Sequence, residues 1–197
     1  MVPRRQLTDP ETLKALAHPL RMELVESLRV HGAQTATELA ARLGSSPSNC
    51  SWHLRKLAEH GFVTEAEQGP GRSRPWQAAR EGLTWDEADA APEIRTAGQA
   101  LTETLLGREL RLLSAAQRSL PDESPAWRRS GTVVQSVAWL TADEAMQLSA
   151  ELGELMMRHV DRLDDPEKRP EGARLVSLVG WLALRPEAGS TEGSDVR

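Results

Sequence analysis

Residues 45–63, SSPSNCSWHLRKLAEHGFV, decide how the front of this chain is read. Ser46 followed by Pro47 is a helix start, a serine to accept an amide hydrogen bond and a proline with its backbone angle preset. At 100° per residue Cys50, Leu54, Leu57 and Gly61 fall on one side of that helix. Ser48, Asn49, Ser51, Trp52 and Arg55 sweep the opposite side, with Lys56 beside them. The apolar side predicts an anchor in a core. The polar side is left facing outward, and its residue types are those that reach base edges and phosphates.

Working outward, three helical patterns precede this one. Thr8 or Asp9 caps the first, which has Pro10 at its first position and runs through Ala17 with Leu13 and Leu16 inward. Pro19 opens the second, where Leu20, Leu24, Val25 and Leu28 keep helical spacing up to His31-Gly32. Thr35 and Glu38 form a T-x-x-E capping box for the third, which stops at Gly44. Downstream, extended runs at 62–67 and 74–79 flank Gly69-Pro70-Gly71-Arg72-Ser73, a hairpin-like turn. Three helices, a recognition helix over 46–61 and a hairpin with its wing at 68–75 are the order of a winged helix-turn-helix.

The rest of the chain changes character. From Ile94 to Leu120 the pattern is helical again, and its leucines cover more than one face needs. One contact within the chain and one with a second copy explain that breadth, so 94–120 is read as a dimerisation helix. A Pro- and acid-rich linker, 121–127, follows. Residues 132–140 and 173–184 read as strands around a helix that Thr141 and Glu144 open with a second capping box. The predicted class is mainly α with a small β component (α+β). Its parts are a winged helix-turn-helix at 9–80, the helix at 94–120, a strand–helix–strand unit at 127–185 and a disordered tail at 186–197.

Charge divides the chain along the same line. The net charge is −5. Residues 1–80 hold 11 Lys+Arg against 8 Asp+Glu, a net of +3, and residues 81–197 hold 13 against 21, a net of −8. This asymmetry allows a DNA-reading front on an acidic body. The arginine excess, 21 Arg to 3 Lys, is read as genomic base composition. One cysteine, Cys50, permits no disulfide within a chain and fits a reducing cytoplasm. The start MVPRRQLTDPETL has no apolar run of a signal peptide, and no stretch is apolar enough to span a bilayer. A cytoplasmic location without membrane partners is expected.

The stretches LKALAHPLRMELVESL and TATELAARLGSSPSNCSWHLRKLAEHGFV, followed by a Gly/Arg wing, resemble an ArsR-type winged-helix transcriptional regulator over residues 9–80. Pro19 with Arg21, E-L-A-x-x-L-G and H-L-x-x-L-x-x-x-G-x-V carry the resemblance. It implies a homodimer that binds operator DNA, usually as a repressor, with the fourth helix in the major groove. Metal-sensing members carry Cys-x-Cys in the third helix, where this chain has Thr37, Glu38, Leu39 and Ala40. The added length after the wing is similar to the larger actinobacterial relatives.

The expected DNA-contacting residues are Ser48, Asn49, Ser51, Trp52, Arg55 and Lys56 on the helix, and Arg72 and Arg74 on the wing. Asn pairs with adenine and Arg with guanine through two hydrogen bonds each. Trp52 reaches a thymine methyl or sugar, or else folds onto the wing beside Trp76; the two are weighed evenly. His53 is expected at the edge of the core, Cys50 within it, and Arg21 in a pair with a carboxylate. Trp127, Trp139, Met156 and Trp181 either line an apolar pocket for a small-molecule effector or fill the core of the C-terminal layer, the commoner use of such residues. The histidines at 18, 31, 53, 60 and 159 have no partner at ligand spacing, so no metal or cofactor is expected. No G-x-S-x-G, H-E-x-x-H or phosphate-cradling loop argues for an enzyme. The alternative function is a winged-helix module that meets another protein without sequence-specific DNA binding.

Overall fold

In the computed structural model, residues 4–66, 74–85 and 90–185 are described. The wing tip with Arg72 and the expected tail at 186–197 lie outside them. The described chain runs β1 (Arg4–Gln6), α1 (Pro10–Leu16), α2 (Pro19–His31), α3 (Ala36–Leu43), α4 (Pro47–Glu59), β2 (Val63–Glu65), β3 (Trp76–Ala78) and β4 (Gly82–Thr84). Then follow α5 (Pro92–Ser119), α6 (Pro125–Ser130), α7 (Ala142–Met157) and α8 (Asp161–Asp164). Short 3-10 turns lie at Leu120–Asp122 and Pro166–Lys168.

The four front helices start where their caps dictate. The Asp9 carboxylate accepts from the Thr12 amide at 2.8 Å. Thr35 and Glu38 close the capping box of α3, and the Ser46 hydroxyl accepts from the Asn49 amide at 3.2 Å to open α4. Gly44 ends α3 at φ 63°, a left-handed conformation in which a side chain would be strained. The apolar sides of these helices meet in one core: Leu13, Leu24, Leu39, Leu54, Leu57 and Val63 are each fully buried. Cys50 is buried with them, as expected of a small apolar residue.

Two small sheets brace this core. β2 and β3 pair antiparallel, with Val63 opposite Ala78, and Gln34 bridges to Trp76 from the loop before α3. β1 pairs parallel with β4, Arg4 opposite Gly82, and closes a strand pair that sequence patterning did not signal. α5 packs its first turns on α1 and α2, burying Ala97, Gly98 and Leu101, and Arg108 ion-pairs with Glu26 of α2.

The chain divides into two compact units. The first comprises Met1–Thr132 with Asp161–Arg169, and the second Val133–Val160 with Pro170–Arg197. The 161–169 segment thus packs with the winged helix, α8 against α2, instead of continuing the expected 127–185 unit. Within the second unit α7 opens where expected, at the Thr141–Glu144 capping box, and ends at Met157, short of the expected end near Leu163. The flanking runs differ from expectation: 132–140 and 173–184 carry no strand pairing. The reason is physical. Alternating apolar residues give a run β propensity, but a ladder needs a neighbouring strand to take its amides and carbonyls. Val133, Val134, Leu175, Val176, Leu178 and Val179 are all exposed, so most of either run is uncovered.

Candidate nucleic-acid interface

α4 presents the two-sided pattern that its sequence predicts. Cys50, His53, Leu54 and Leu57 are buried, while Ser48, Asn49, Trp52 and Arg55 are exposed and Ser51 and Lys56 half-buried. Several of these polar groups are steadied by neighbours. The Asn49 amide donates to the Ser45 hydroxyl at 3.1 Å, and the hydroxyls of Ser46 and Ser48 are 3.1 Å apart. Lys56 is paired with Glu59 at 2.7 Å, which holds that carboxyl below its usual range. Arg55 has no ion pair among the described residues, so its fork of N–H donors stands open.

Trp52 is the aromatic member of the reading face. Its ring stands edge-on to His53, centroids 4.8 Å apart, and the residue remains 50% exposed. His53 in turn lies 4.5 Å from the His18 ring, so three rings run inward from the reading face to the turn before α2. Burial lowers the pKa of both histidines, most of all through loss of water, and then through the positive neighbours His18 and Arg21 at His53 and Arg21 at His18. The Nδ1 of each is buried without a partner among the described residues. Arg21 departs from its expected pairing with a carboxylate. Its guanidinium donates to the Lys14 carbonyl at 3.3 Å, because it sits over the C-terminal end of α1, where unsatisfied carbonyls gather.

On the wing side Arg74 is exposed and paired with Glu65 at 3.1 Å across the β2–β3 pair. Arg74 also lines a cleft of about 330 Å³ with Thr35, Thr37, Ser48, Ser51 and Trp76. This cleft sits where the N-termini of α3 and α4 converge. Helix N-termini offer unpaired amides and a partial positive charge, which suit a phosphate. Thr35 and Thr37 were not among the expected contacts. The capping box had marked the start of α3, but only the fold brings that start beside α4.

Of the residues expected to line an effector pocket, Trp127 lies in the first unit and Trp139, Met156 and Trp181 in the second. Trp139 is fully exposed, with a relative accessibility of 102%, and so walls no enclosed cavity. Trp127 is half-buried on α6 in the first unit. Met156 touches the second run instead: a Cβ on Gly180 would come within 2.8 Å of its sulfur, and Trp181 follows, 54% exposed. Among the described residues no group of three or more His, Cys, Asp or Glu is placed to hold a metal ion. No helix among them is long and apolar enough to cross a membrane.

Residues 16–66 match the family described as "Helix-turn-helix domain". The solved structure of a possible transcriptional regulator for arsenical resistance is 32% identical, over 53% of this chain and 94% of that one, with a TM-score of 0.31. Residues 16–66 thus carry a helix-turn-helix domain, and the front half of the chain is similar to ArsR-type regulators. An ArsR-like regulator from Rhodococcus sp. RHA1 is 23% identical over 55% of this chain and 92% of that one, TM-score 0.31. Reduced HlyU from Vibrio cholerae N16961 is 20% identical over 47% and 83%, TM-score 0.30. Curated proteins gave no match. At these TM-scores the superpositions support nothing about how the parts are arranged. The likeness to ArsR-type regulators rests on sequence and covers about half of the chain.

Proposed function

We propose that this chain is an ArsR-type regulator, a cytoplasmic homodimer that represses transcription by seating α4 in the major groove of its operator. The observation that carries this reading is the division of α4. Leu54, Leu57 and Cys50 are fully buried and fix the helix, while Asn49, Trp52 and Arg55 stand in solvent on its other side. Asn49 and Arg55 are the base readers, Ser48 and Ser51 take a phosphate or one base edge, and Lys56, Arg72 and Arg74 meet the backbone. The cleft between α3 and α4 takes a phosphate beside Arg74.

Dimerisation through α5 is supported by what its second half leaves uncovered. Leu106, Leu110 and Leu113, spaced i, i+4 and i+7, are exposed. This is the spacing of a helix–helix seam. A second copy would also supply the runs at 132–140 and 173–184 with the neighbouring strands they lack. Two readers related by a twofold axis meet half-sites about 34 Å apart, or a multiple of that distance. Thr37 to Ala40, standing where metal sensors carry Cys-x-Cys, support a reading in which this chain does not sense a metal.

The test is selection of bound duplexes from a random pool by the full chain, followed by footprinting. A paired, twofold-related motif is the expected outcome. Failure to enrich any sequence would move the protein to the rival reading, a winged-helix module that binds another protein. A single unpaired half-site per dimer would overturn the dimeric mode.

A further inference from the structure

A second cleft, of about 570 Å³, opens between the end of α2, the last turn of α3, the exit of β3 and the 161–169 segment, all within the first compact unit. Arg29, His31, Arg42, Arg80 and Arg169 line it, and Asp164 is the one carboxylate among its lining residues. Four arginines therefore line a space with a single carboxylate among its lining residues. Among the described residues none of the four is ion-paired, in a chain with 29 acidic residues to choose from.

Three of the four are held in place by neutral groups instead. Arg29 donates to the carbonyls of Glu81 at 3.3 Å and Arg80 at 3.4 Å, and its Nε is buried with no acceptor. Arg42 donates to the Gln34 side chain at 3.2 Å, with the His31 ring 3.3 Å away. Arg169 donates to the carbonyls of Arg162 at 2.7 Å and Leu163 at 2.9 Å. These bonds orient the forks and leave the charges uncompensated. Converging, fixed guanidiniums recognise planar or tetrahedral oxyanions through paired N–H bonds.

We propose that this cleft binds a small molecule bearing a carboxylate or phosphate, which joins the 161–169 segment to the winged helix through Arg169 and Arg42. Its volume suits a metabolite-sized ligand, and its walls come from α2, α3, β3 and the 161–169 segment. Such an anion neutralises the repulsion among the four arginines and fixes the 161–169 segment against α2. The site does not depend on the DNA reading above. Only its consequence, a change in operator affinity, rests on that reading.

Calorimetric titration of the full chain tests it, with inorganic phosphate in one arm and succinate in the other, at constant ionic strength set with chloride. Saturable binding in at least one arm, at one site per protomer, is expected, and the stronger arm names the oxyanion. Arg42→Gln and Arg169→Gln each weaken it by at least about tenfold, whereas Arg111→Gln on α5 leaves it unchanged. Arg42 also braces Gln34, so Arg169, on a separate segment, keeps the test decisive if the Arg42 variant fails to fold. The proposal is overturned if neither anion binds saturably at about 10 mM, a weak affinity even for one good ion pair, or if both variants bind as the parent does. It is also overturned if Arg169→Gln weakens random-sequence duplex binding as much as Arg74→Ala while neither small anion binds, since the cleft then belongs to the DNA surface. A failed duplex selection leaves the titration untouched, so the two readings fail separately.

Discussion

Asn49 and Arg74 lie on one face of the molecule but are asked for different chemistry. Asn49 has an amide that can pair with adenine through two bonds, worth about 1–3 kcal/mol of discrimination. Asn49→Ala is therefore expected to relax preference at one base position while binding to unrelated duplexes barely changes. A panel of single-base operator variants measures this, and equal loss on every sequence would remove Asn49 from the readers. His18 and His53 lead to a second expectation, about pH. Burial holds their folded-state values below the ordinary histidine value. Stability from their neutral forms is thus fully present above about pH 6.5 and is lost as pH falls through that value toward the lower folded ones. The carboxylates held low by hydrogen bonds, such as Glu38 and Asp9, act in a lower window, below about pH 4.5. Melting curves between about pH 7.5 and 5.5 should show the parent losing stability and His53→Gln losing less. Equal slopes would mean that this ring does not carry the effect.

Most helices were legible from local signals, α6 (Pro125–Ser130) overlapping the expected 121–127 linker being the exception, and strands were not where theirs depended on distant partners. Asp9, Thr35, Ser46 and Thr141 each cap the helix that the sequence assigned to them, because a cap is settled within three residues. β1 gave no signal: Arg-Arg-Gln has no alternation, and its pairing is with residues some 78 positions later. The runs at 132–140 and 173–184 show the converse error, since apolar alternation reports a propensity and not a neighbour. The reading face of α4 was legible from period alone, whereas the α3–α4 cleft and the arginine cleft assemble from segments far apart in the chain. For α5 the breadth of the leucine pattern has a testable meaning. Leu110 is 67% exposed and Leu113 43% in the single copy. Replacing both with Glu buries nothing within the chain, so fold and melting behaviour of the first unit should hold. Sedimentation equilibrium should show a monomer, because two charges would have to be desolvated in the seam. A variant that remains dimeric would place the interface elsewhere, with the uncovered apolar residues of the second unit as the next surface to probe.

The molecule as a whole is acidic, yet its front 80 residues carry +3, and part of that charge is already engaged. Lys56 is bound to Glu59 and Arg74 to Glu65, both pairs exposed. Exposed pairs of this kind are worth about 0–1 kcal/mol, so a phosphate can displace the carboxylate at little cost. Their presence bears on specificity more than on strength. An acidic body repels DNA at long range, and a cation that must trade a carboxylate for a phosphate does so only when the helix is docked. Affinity for duplex DNA should therefore depend steeply on salt, with each phosphate contact adding about −0.9 to the slope of log K against log salt. Arg74→Ala removes one such contact from each protomer. In a dimer bound at both half-sites the slope becomes shallower by about 2, while the ranking of operator variants stays the same. Titrations at four or five salt concentrations, on the selected operator and on a scrambled duplex, give both quantities at once. A slope changed by about 1 would mean that only one protomer engages. An unchanged slope would remove Arg74 from the backbone contacts and leave the amides of the α3 and α4 N-termini to hold the phosphate.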